Sequence, residues 1–412
     1  MRITIVNLFY PPDVAASGTF VASLAEHRAS LGDDVTVVCG TGAYVGSVAP
    51  PGTDPGPIPT DRVRLLRIWT PGLGKASKGR RLADYVAFLV GATLRMVFMP
   101  RQDVVIAMTS PPFAQIAAVT HRLVHPRTRI VFWCHDVYPD AAEEYGAIRR
   151  GGLASRALRS AQRWLMSRTD HVVALDEAML RRVRTGYVRG RRPTGSVIPN
   201  WETLELFPAE AAEERWSGYS APELAGRDVV LYLGNLGYGH PVETIVDAAQ
   251  DLAADRDVSF LFVGGGVRYP ELAGEVARRG LDDVVMRDYV PKVATPGVLA
   301  GALAIIISLD DGSLGIMSPC KLHGGLAMGR PVIYVGPPGT NVDEAIAVYG
   351  CGSSLRQGDA VGLAAAIRLL RDDPQLREEQ ARNARKAFEE AYCDARTLPQ
   401  FDALLDGLCP RS

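Results

Sequence analysis

The stretch Ser318-Pro319-Cys320-Lys321-Leu322-His323-Gly324-Gly325-Leu326-Ala327-Met328-Gly329-Arg330-Pro331, followed by Val332-Ile333-Tyr334-Val335, sets a cation at a helix start. A Ser-Pro opening, small and apolar residues at helical spacing, and Gly-x-Pro before a β-branched run predict helix, tight turn, strand. Ser318 suits the cap and Pro319 the first helical position. Lys321 then lies in the first turn, where the helix dipole disfavours a cation. An anion resting between the free N–H groups and the ammonium removes that conflict, and this is how a protein holds a diphosphate. A solvated lysine at a helix start is the plainer alternative.

Two glycine-rich stretches are placed for the same chemistry. Gly234-Asn235-Leu236-Gly237-Tyr238-Gly239-His240 joins an apolar strand to a helix, and Phe262-Val263 runs into Gly264-Gly265-Gly266. Glycines allow close backbone approach to a ligand, and free N–H groups in such turns cradle phosphate. The first is not a GxGxxG fingerprint, and no acidic residue follows at the spacing that would hold the ribose of NAD. Gly234, Asn235, Gly237, Tyr238, Gly264 and Gly265 are therefore read, with Ser318 and Lys321, as a nucleotide-diphosphate site. An ordinary βα turn would also favour glycine.

Chemistry-bearing residues of the first half follow other strands. Trp133-Cys134-His135-Asp136-Val137-Tyr138-Pro139 places His135 and Asp136 at a strand end. A histidine there can donate to a sugar hydroxyl or a developing charge, and an aspartate can accept from an acceptor hydroxyl. An Asx-turn beside a structural histidine is the alternative. Asp13, in the turn Tyr10-Pro11-Pro12-Asp13, and Ser17-Gly18-Thr19, in a small-residue loop before a helix, follow the first strand and are candidates for acceptor binding.

These residues must be held by elements that repeat. Strand, loop, helix and strand recur as βαβ units, which imply parallel sheets with helices on both faces. The strands expected are 3–7, 34–39, 63–68, 104–107, 129–133 and 171–174, then 228–234, 258–263, 284–286, 303–308 and 332–335. The fold class is α/β: two Rossmann-like, doubly wound parallel-sheet domains, which facing each other make a cleft. The domains expected are 1–205, a linker at 206–227, and 228–390, followed by a C-terminal helix over 391–412. The loop 40–60, rich in Gly and Pro, reads as mobile or as part of a binding mouth.

Composition narrows the function. At 412 residues, 47% hydrophobic, 22% charged and net charge -1, the chain is an ordinary globular protein and no nucleic-acid binder as a whole. The charge is divided, however: 26 Lys+Arg against 17 Asp+Glu up to Glu205, and 19 against 29 beyond it. A basic first half is one route to peripheral contact with a membrane; an uneven solvated surface is the other. The segment from Arg80 to Met99 reads first as a helix covering a sheet and alternatively as an interfacial helix. The six cysteines show no paired spacing and no Cys/His metal pattern, so no metal is expected, and no cofactor beside a nucleotide substrate. Reduced thiols, and a first strand in place of a targeting segment, point to the cytoplasm, with the inner membrane face as a peripheral site.

In order and spacing, Tyr10-Pro11-Pro12, His135-Asp136-Val137-Tyr138-Pro139, Val197-Ile198-Pro199-Asn200, Gly234-Asn235-Leu236-Gly237, Gly264-Gly265-Gly266, Asp288-Tyr289-Val290-Pro291, Ser318-Pro319-x-Lys321 and Gly329-Arg330-Pro331 resemble the retaining GT-B glycosyltransferases of family four, in particular bacterial O-antigen and capsule sugar transferases. The resemblance implies metal-independent transfer of a sugar from a nucleotide diphosphate, here a UDP-sugar, to a lipid-linked or small-molecule acceptor. By it Lys321 neutralises the diphosphate with the Gly237 and Tyr238 amides, and the Val290 backbone reads the base. His135 lies by the donor sugar, Ser17-Gly18 lie near the β-phosphate, and the domains close on the donor. The resemblance also gives the acceptor to 1–205 and the nucleotide sugar to 228–390, with the helix over 391–412 crossing back to the first domain. The family's paired glutamates are missing, Met317 and Gly324 standing in their places, and its basic residue after the first Gly turn is replaced by His240. Glu344 is a candidate for a lost hydroxyl contact, and Asp310 and Asp311 for the sugar contact. The competing readings are a non-hydrolysing nucleotide-sugar 2-epimerase and a non-catalytic partner subunit.

Overall fold

Short runs that are apolar at every position, such as Val104 to Ala107 and Ala304 to Ile307, can be satisfied only where both faces are covered. The computed structural model describes residues 1–13, 15–41, 62–72, 78–189, 193–213, 215–255 and 257–410. It builds these runs into two parallel sheets. The chain divides into unit 1, comprising 1–199, 315–318 and 398–412, and unit 2, comprising 200–314 and 319–397. From residue 42 on, the expected mouth loop 40–60 lies outside the described residues.

Unit 1 runs β1 (Arg2–Val6), α1 (Ala16–Ser30), β2 (Asp34–Gly40), β3 (Val63–Ile68), α2 (Lys78–Val97), β4 (Val104–Ala107), α3 (Gln115–Val124), β5 (Arg129–Trp133), α4 (Asp140–Glu144), α5 (Leu153–Met166), β6 (His171–Ala174), α6 (Glu177–Tyr187) and β7 (Thr194–Val197). Its sheet has the order β3-β2-β1-β4-β5-β6-β7, and its recorded pairings are parallel, for example Ile5 opposite Val37 and Ile106. The winding reverses between β1 and β4. In open α/β sheets, ligands bind outside the carboxyl ends of the strands at that point.

Unit 2 repeats the plan with β8 (Asp228–Asn235), α7 (Glu243–Asp251), β9 (Val258–Gly265), α8 (Tyr269–Arg279), β10 (Val284–Arg287), α9 (Thr295–Ala300), β11 (Ala304–Ser308), α10 (Lys321–Ala327), β12 (Val332–Val335), α11 (Asn341–Tyr349), β13 (Gly352–Leu355), α12 (Ala360–Asp372) and α13 (Pro374–Ala387). The sheet order is β10-β9-β8-β11-β12-β13, so its reversal lies between β8 and β11. Tyr232, Phe260, Phe262, Ile306 and Ile333 form the centre of its core. Residues 206–227 belong to this unit and include two short 3-10 turns, Ala209–Glu213 and Ser217–Ser220. α11 and β13 go beyond the strands and helices expected from sequence.

The last helix, α14 (Asp394–Leu408), belongs to unit 1 from Leu398 onward. There Phe401 packs edge-on against Trp133 with ring centroids 4.7 Å apart. Asp402 and Asp406 lie 2.8 and 3.0 Å from the guanidinium of Arg28, which is almost wholly buried and also pairs with Asp33.

Candidate active site

In unit 2 the glycine turns meet at the reversal point. β8 and β9 stay in register to their ends, Gly234 opposite Gly264 and Asn235 opposite Gly265. Gly264 has φ +147°, and a Cβ there would stand 2.2 Å from the Gly234 carbonyl oxygen, so only glycine lets the strand ends run this close. Gly234, at φ +115°, leaves room for a different neighbour: a Cβ on it would come 3.7 Å from Cε of Lys321.

The ammonium of Lys321 is held by two unlike groups. Its Nζ lies 3.2 Å from Nε2 of His240 and 5.0 Å from the ring centroid of Tyr232. Nδ1 of His240 lies 2.6 Å from the Ser308 carbonyl oxygen at the end of β11, so Nδ1 carries the proton and donates. That leaves Nε2 as an acceptor facing the ammonium. Burial pushes His240 down to about 3, and the Lys321 charge adds to the shift, so the imidazole is neutral. Burial likewise lowers Lys321 to about 8. Lys321 forms no ion pair with a carboxylate among the described residues. Among the described residues its charge is met by a lone pair and a ring face, the latter worth about 0.5–2 kcal/mol. A cation kept in this state, beside turn amides, is prepared for an anion.

The other expected donor residues surround this point unevenly. Tyr289 donates to Oδ1 of Asn235 at 3.3 Å and packs over Gly265, which ties the β10 loop bearing Val290 to both glycine ends. The Gly237 carbonyl accepts from the amide of His240 at 3.2 Å, and Tyr238 is exposed. Glu344 stands exposed in the first turn of α11, and its charge acts on Tyr392. Asp310 caps a short 3-10 turn by accepting from the amide of Gly312 at 3.0 Å. The capping role expected of Ser318 is corrected: α10 begins at Lys321, and its N-cap is Cys320, with no side-chain cap bond. Pro319 therefore precedes the helix, and its carbonyl accepts from Asn341 Nδ2 at 3.2 Å. At the two glutamate positions, Met317 Sδ accepts from Tyr145 at 3.0 Å, and a Cβ on Gly324 would meet Leu299 at 3.2 Å.

In unit 1, β1, β4 and β5 are neighbours, and the residues beyond their ends converge. The Thr109 hydroxyl accepts from the amides of His135 and Asp136 at 3.2 and 3.3 Å. His135 packs against Trp133 and against Phe20 of α1, with ring centroids 5.1 and 5.8 Å away. Its Nε2 is buried without a hydrogen-bond partner, and burial lowers its pKa to about 3. An orphaned polar atom costs roughly 1–3 kcal/mol, which a ligand hydroxyl would recover. Burial raises Asp136 to about 6, with the Arg81 charge opposing it, and Asp136 bridges to Met317 in antiparallel fashion. Ser17, Gly18 and Thr19 are corrected from loop to the first turn of α1. Gly18 brings that turn against the Phe9 backbone, 3.2 Å from an added Cβ. The buried Asp13 is raised to about 6.

Sequence reasoning missed Thr109, which carries no motif signal, and Arg81, which looked like a mere flank of α2. It met His240 only as a substitute for a missing base, when its effect is to fix the lysine. Among the described residues no group of three His, Cys, Asp or Glu side chains is placed to hold a metal.

Two doubly wound units with glycine strand ends and an uncompensated lysine define the class, a GT-B nucleotide-sugar enzyme architecture. The Glycosyl transferase 4-like domain model matches residues 16–201, and the Glycosyl transferases group 1 model matches 227–373. The chain belongs to the GT-B glycosyltransferases of family four. It is 26% identical over 305 residues to a probable glycosyltransferase, WbjE, of Pseudomonas aeruginosa, covering 71% of this chain and 73% of that one. Its fold is that of sucrose-phosphate synthase from Thermosynechococcus elongatus, with TM-score 0.75, 15% identity and 98% of each chain covered. It is also that of Anabaena HepE in complex with UDP and glucose, with TM-score 0.70, 15% identity, and 98% and 99% covered.

Proposed function

We propose that this glycosyltransferase moves a hexosyl residue from a UDP-sugar to an acceptor hydroxyl with retention of configuration. The observation that carries the reading is the Lys321 ammonium, lowered to about 8 and without a carboxylate, beside the Gly234 turn. A departing diphosphate develops negative charge, and a fixed donor waiting for it lowers the barrier by about 3 kcal/mol. The amides of Gly237 and Tyr238 assist, and the Val290 backbone meets the base. His135 donates to a donor-sugar hydroxyl, while Asp136, Asp13, Ser17, Gly18 and Thr19 serve the acceptor side. The leaving oxygen takes the acceptor proton on the face it vacates, so no protein nucleophile is needed. UDP as donor base is supported by the UDP bound in HepE. The acceptor is a lipid-linked saccharide or a small molecule.

The test is release of nucleoside diphosphate from a panel of UDP-, GDP- and dTDP-sugars with acceptor, alongside Lys321→Ala. A panel in which no nucleotide binds, or in which the variant behaves as the parent, ends the reading. The anomeric configuration of the product decides retention. A second reading, donor binding without turnover in support of another transferase, is favoured by Met317 and Gly324, neither of which can replace a glutamate. Calorimetric UDP binding with no product from any donor would select it.

A further inference from the structure

A helix that only covers a sheet turns polar residues outward. α2 does not. Phe88, Ala92 and Met96 face the core, yet Leu82, Val86, Val90, Leu94 and Phe98 lie on the outside, from 50% exposed at Val86 to 81% at Phe98. Each step of four residues advances about 40° round a helix, so Leu82 to Leu94 sweep a sector roughly 120° wide, with Phe98 just past the helix end. Ala83, Thr93 and Val97 fall inside it. α3 packs between α2 and α5 and adds exposed Leu123 and Val124, while α5 adds Leu153 and Trp164.

The charge on these helices is mostly basic, although Arg101, Arg122, Arg129, Arg150 and Arg159 pair with Asp103, Asp170, Glu144 and Glu143 beside them. Over 79–101, 115–129 and 149–168 the sequence carries thirteen arginines and a single acid, Asp84. Arg95, Arg127, Arg149, Arg156, Arg163 and Arg168 form no ion pair among the described residues, and the Arg168 guanidinium lies 4.0 Å over the Trp164 ring. No described helix is long and apolar enough to cross a membrane, so the apolar row is suited to lying on a surface.

We propose that the outer face of α2, α3 and α5 is a docking surface for an anionic lipid bilayer. The α2 row enters the headgroup–acyl boundary, and the arginines pair with lipid phosphates. Nucleic acid would satisfy the arginines but leave the apolar row in water. The docking stands on this face alone. Its consequence, that of the two acceptor classes the lipid-linked one is used, rests on the sugar-transfer reading.

Co-sedimentation of the full chain with phosphatidylcholine vesicles containing about 30 mol% phosphatidylglycerol tests it without nucleotide. Binding is expected at low salt, with at least ~10-fold less to pure phosphatidylcholine and release as salt rises. Val90→Glu with Leu94→Glu should cut the bound fraction at least ~10-fold while UDP binding, read by calorimetry, is unchanged. If that pair fails to fold, Arg95→Glu with Arg156→Glu must weaken binding to the same vesicles. A parent that stays in the supernatant at low salt overturns the proposal, as does a folded Val90→Glu/Leu94→Glu variant that pellets like the parent. So does a parent dimer that this pair converts to monomer, with no vesicle binding by the parent. UDP binding that survives such a failure leaves the transferase reading intact.

Discussion

Among the described residues Lys321 is a cation without a carboxylate partner, and three measurements follow from that. Lys321→Ala should lower kcat by about 10²–10³, the range for loss of one fixed donor to a developing oxyanion, as read by nucleotide release. The pH dependence has a defined sign. Burial lowers the free protein's lysine to about 8, so the charge is present below that pH and lost as pH rises through it. UDP affinity should therefore be flat near neutrality and fall above pH 8, with proton uptake on binding, measured by calorimetry in buffers of different ionisation enthalpy. The lone pair of His240 fixes the ammonium because Nδ1 is committed to Ser308. His240→Leu should raise KM for the donor and reduce kcat, while His240→Gln, which retains an acceptor, should keep more of both. Equal loss in the two variants would reduce His240 to packing.

At the scale of elements, the paired ends of β8 and β9 and the seat of α14 carry the risk. Gly264→Ala drives a methyl into the Gly234 carbonyl and forces a left-handed residue, a cost of about 3 kcal/mol seen in thermal unfolding and in lost UDP binding. In unit 1, Arg28 serves three carboxylates from one buried position, with His27 adding a 2.8 Å contact to Asp402. Arg28→Met removes the buried cation between those carboxylates, although Asp33 keeps the N-terminal ammonium at 2.6 Å, and breaking a buried pair from one side costs about 3–5 kcal/mol. The melting temperature should fall accordingly, with UDP affinity retained in whatever fraction is folded.

At the scale of the molecule, the two units are stabilised by separate cores, and one draws on chain from the far end. Ending the protein after Thr397 removes Phe401 from Trp133 and Asp402 and Asp406 from Arg28. Calorimetry should then show the transition of unit 1 lowered or lost and that of unit 2 nearly unchanged. A single transition shifted as a whole would mean that the units do not unfold separately. The uneven charge belongs to this scale too: thirteen arginines, of the 26 Lys+Arg of the first half, lie in the segments carrying α2, α3 and α5, beside exposed apolar residues.

What could be read in one dimension was whatever depends on near neighbours in the chain. Strand runs apolar throughout, helical spacing between them, glycines at strand ends and the Ser-Pro-x-Lys stretch together specified a doubly wound α/β protein and a phosphate-binding half. The helix start was misjudged by two residues because Ser-Pro signals a cap by local preference, whereas Pro319 is engaged by Asn341, distant in sequence. Ser17 to Thr19 were misjudged because small residues look like loop until a backbone such as that of Phe9 lies close enough to need them. Partnership itself was invisible: that His240 faces Lys321, that Thr109 anchors His135 and Asp136, and that α2 is apolar outside as well as inside. Hydrogen bonds and burial join residues tens to hundreds of positions apart, and only the folded chain decides which of them meet.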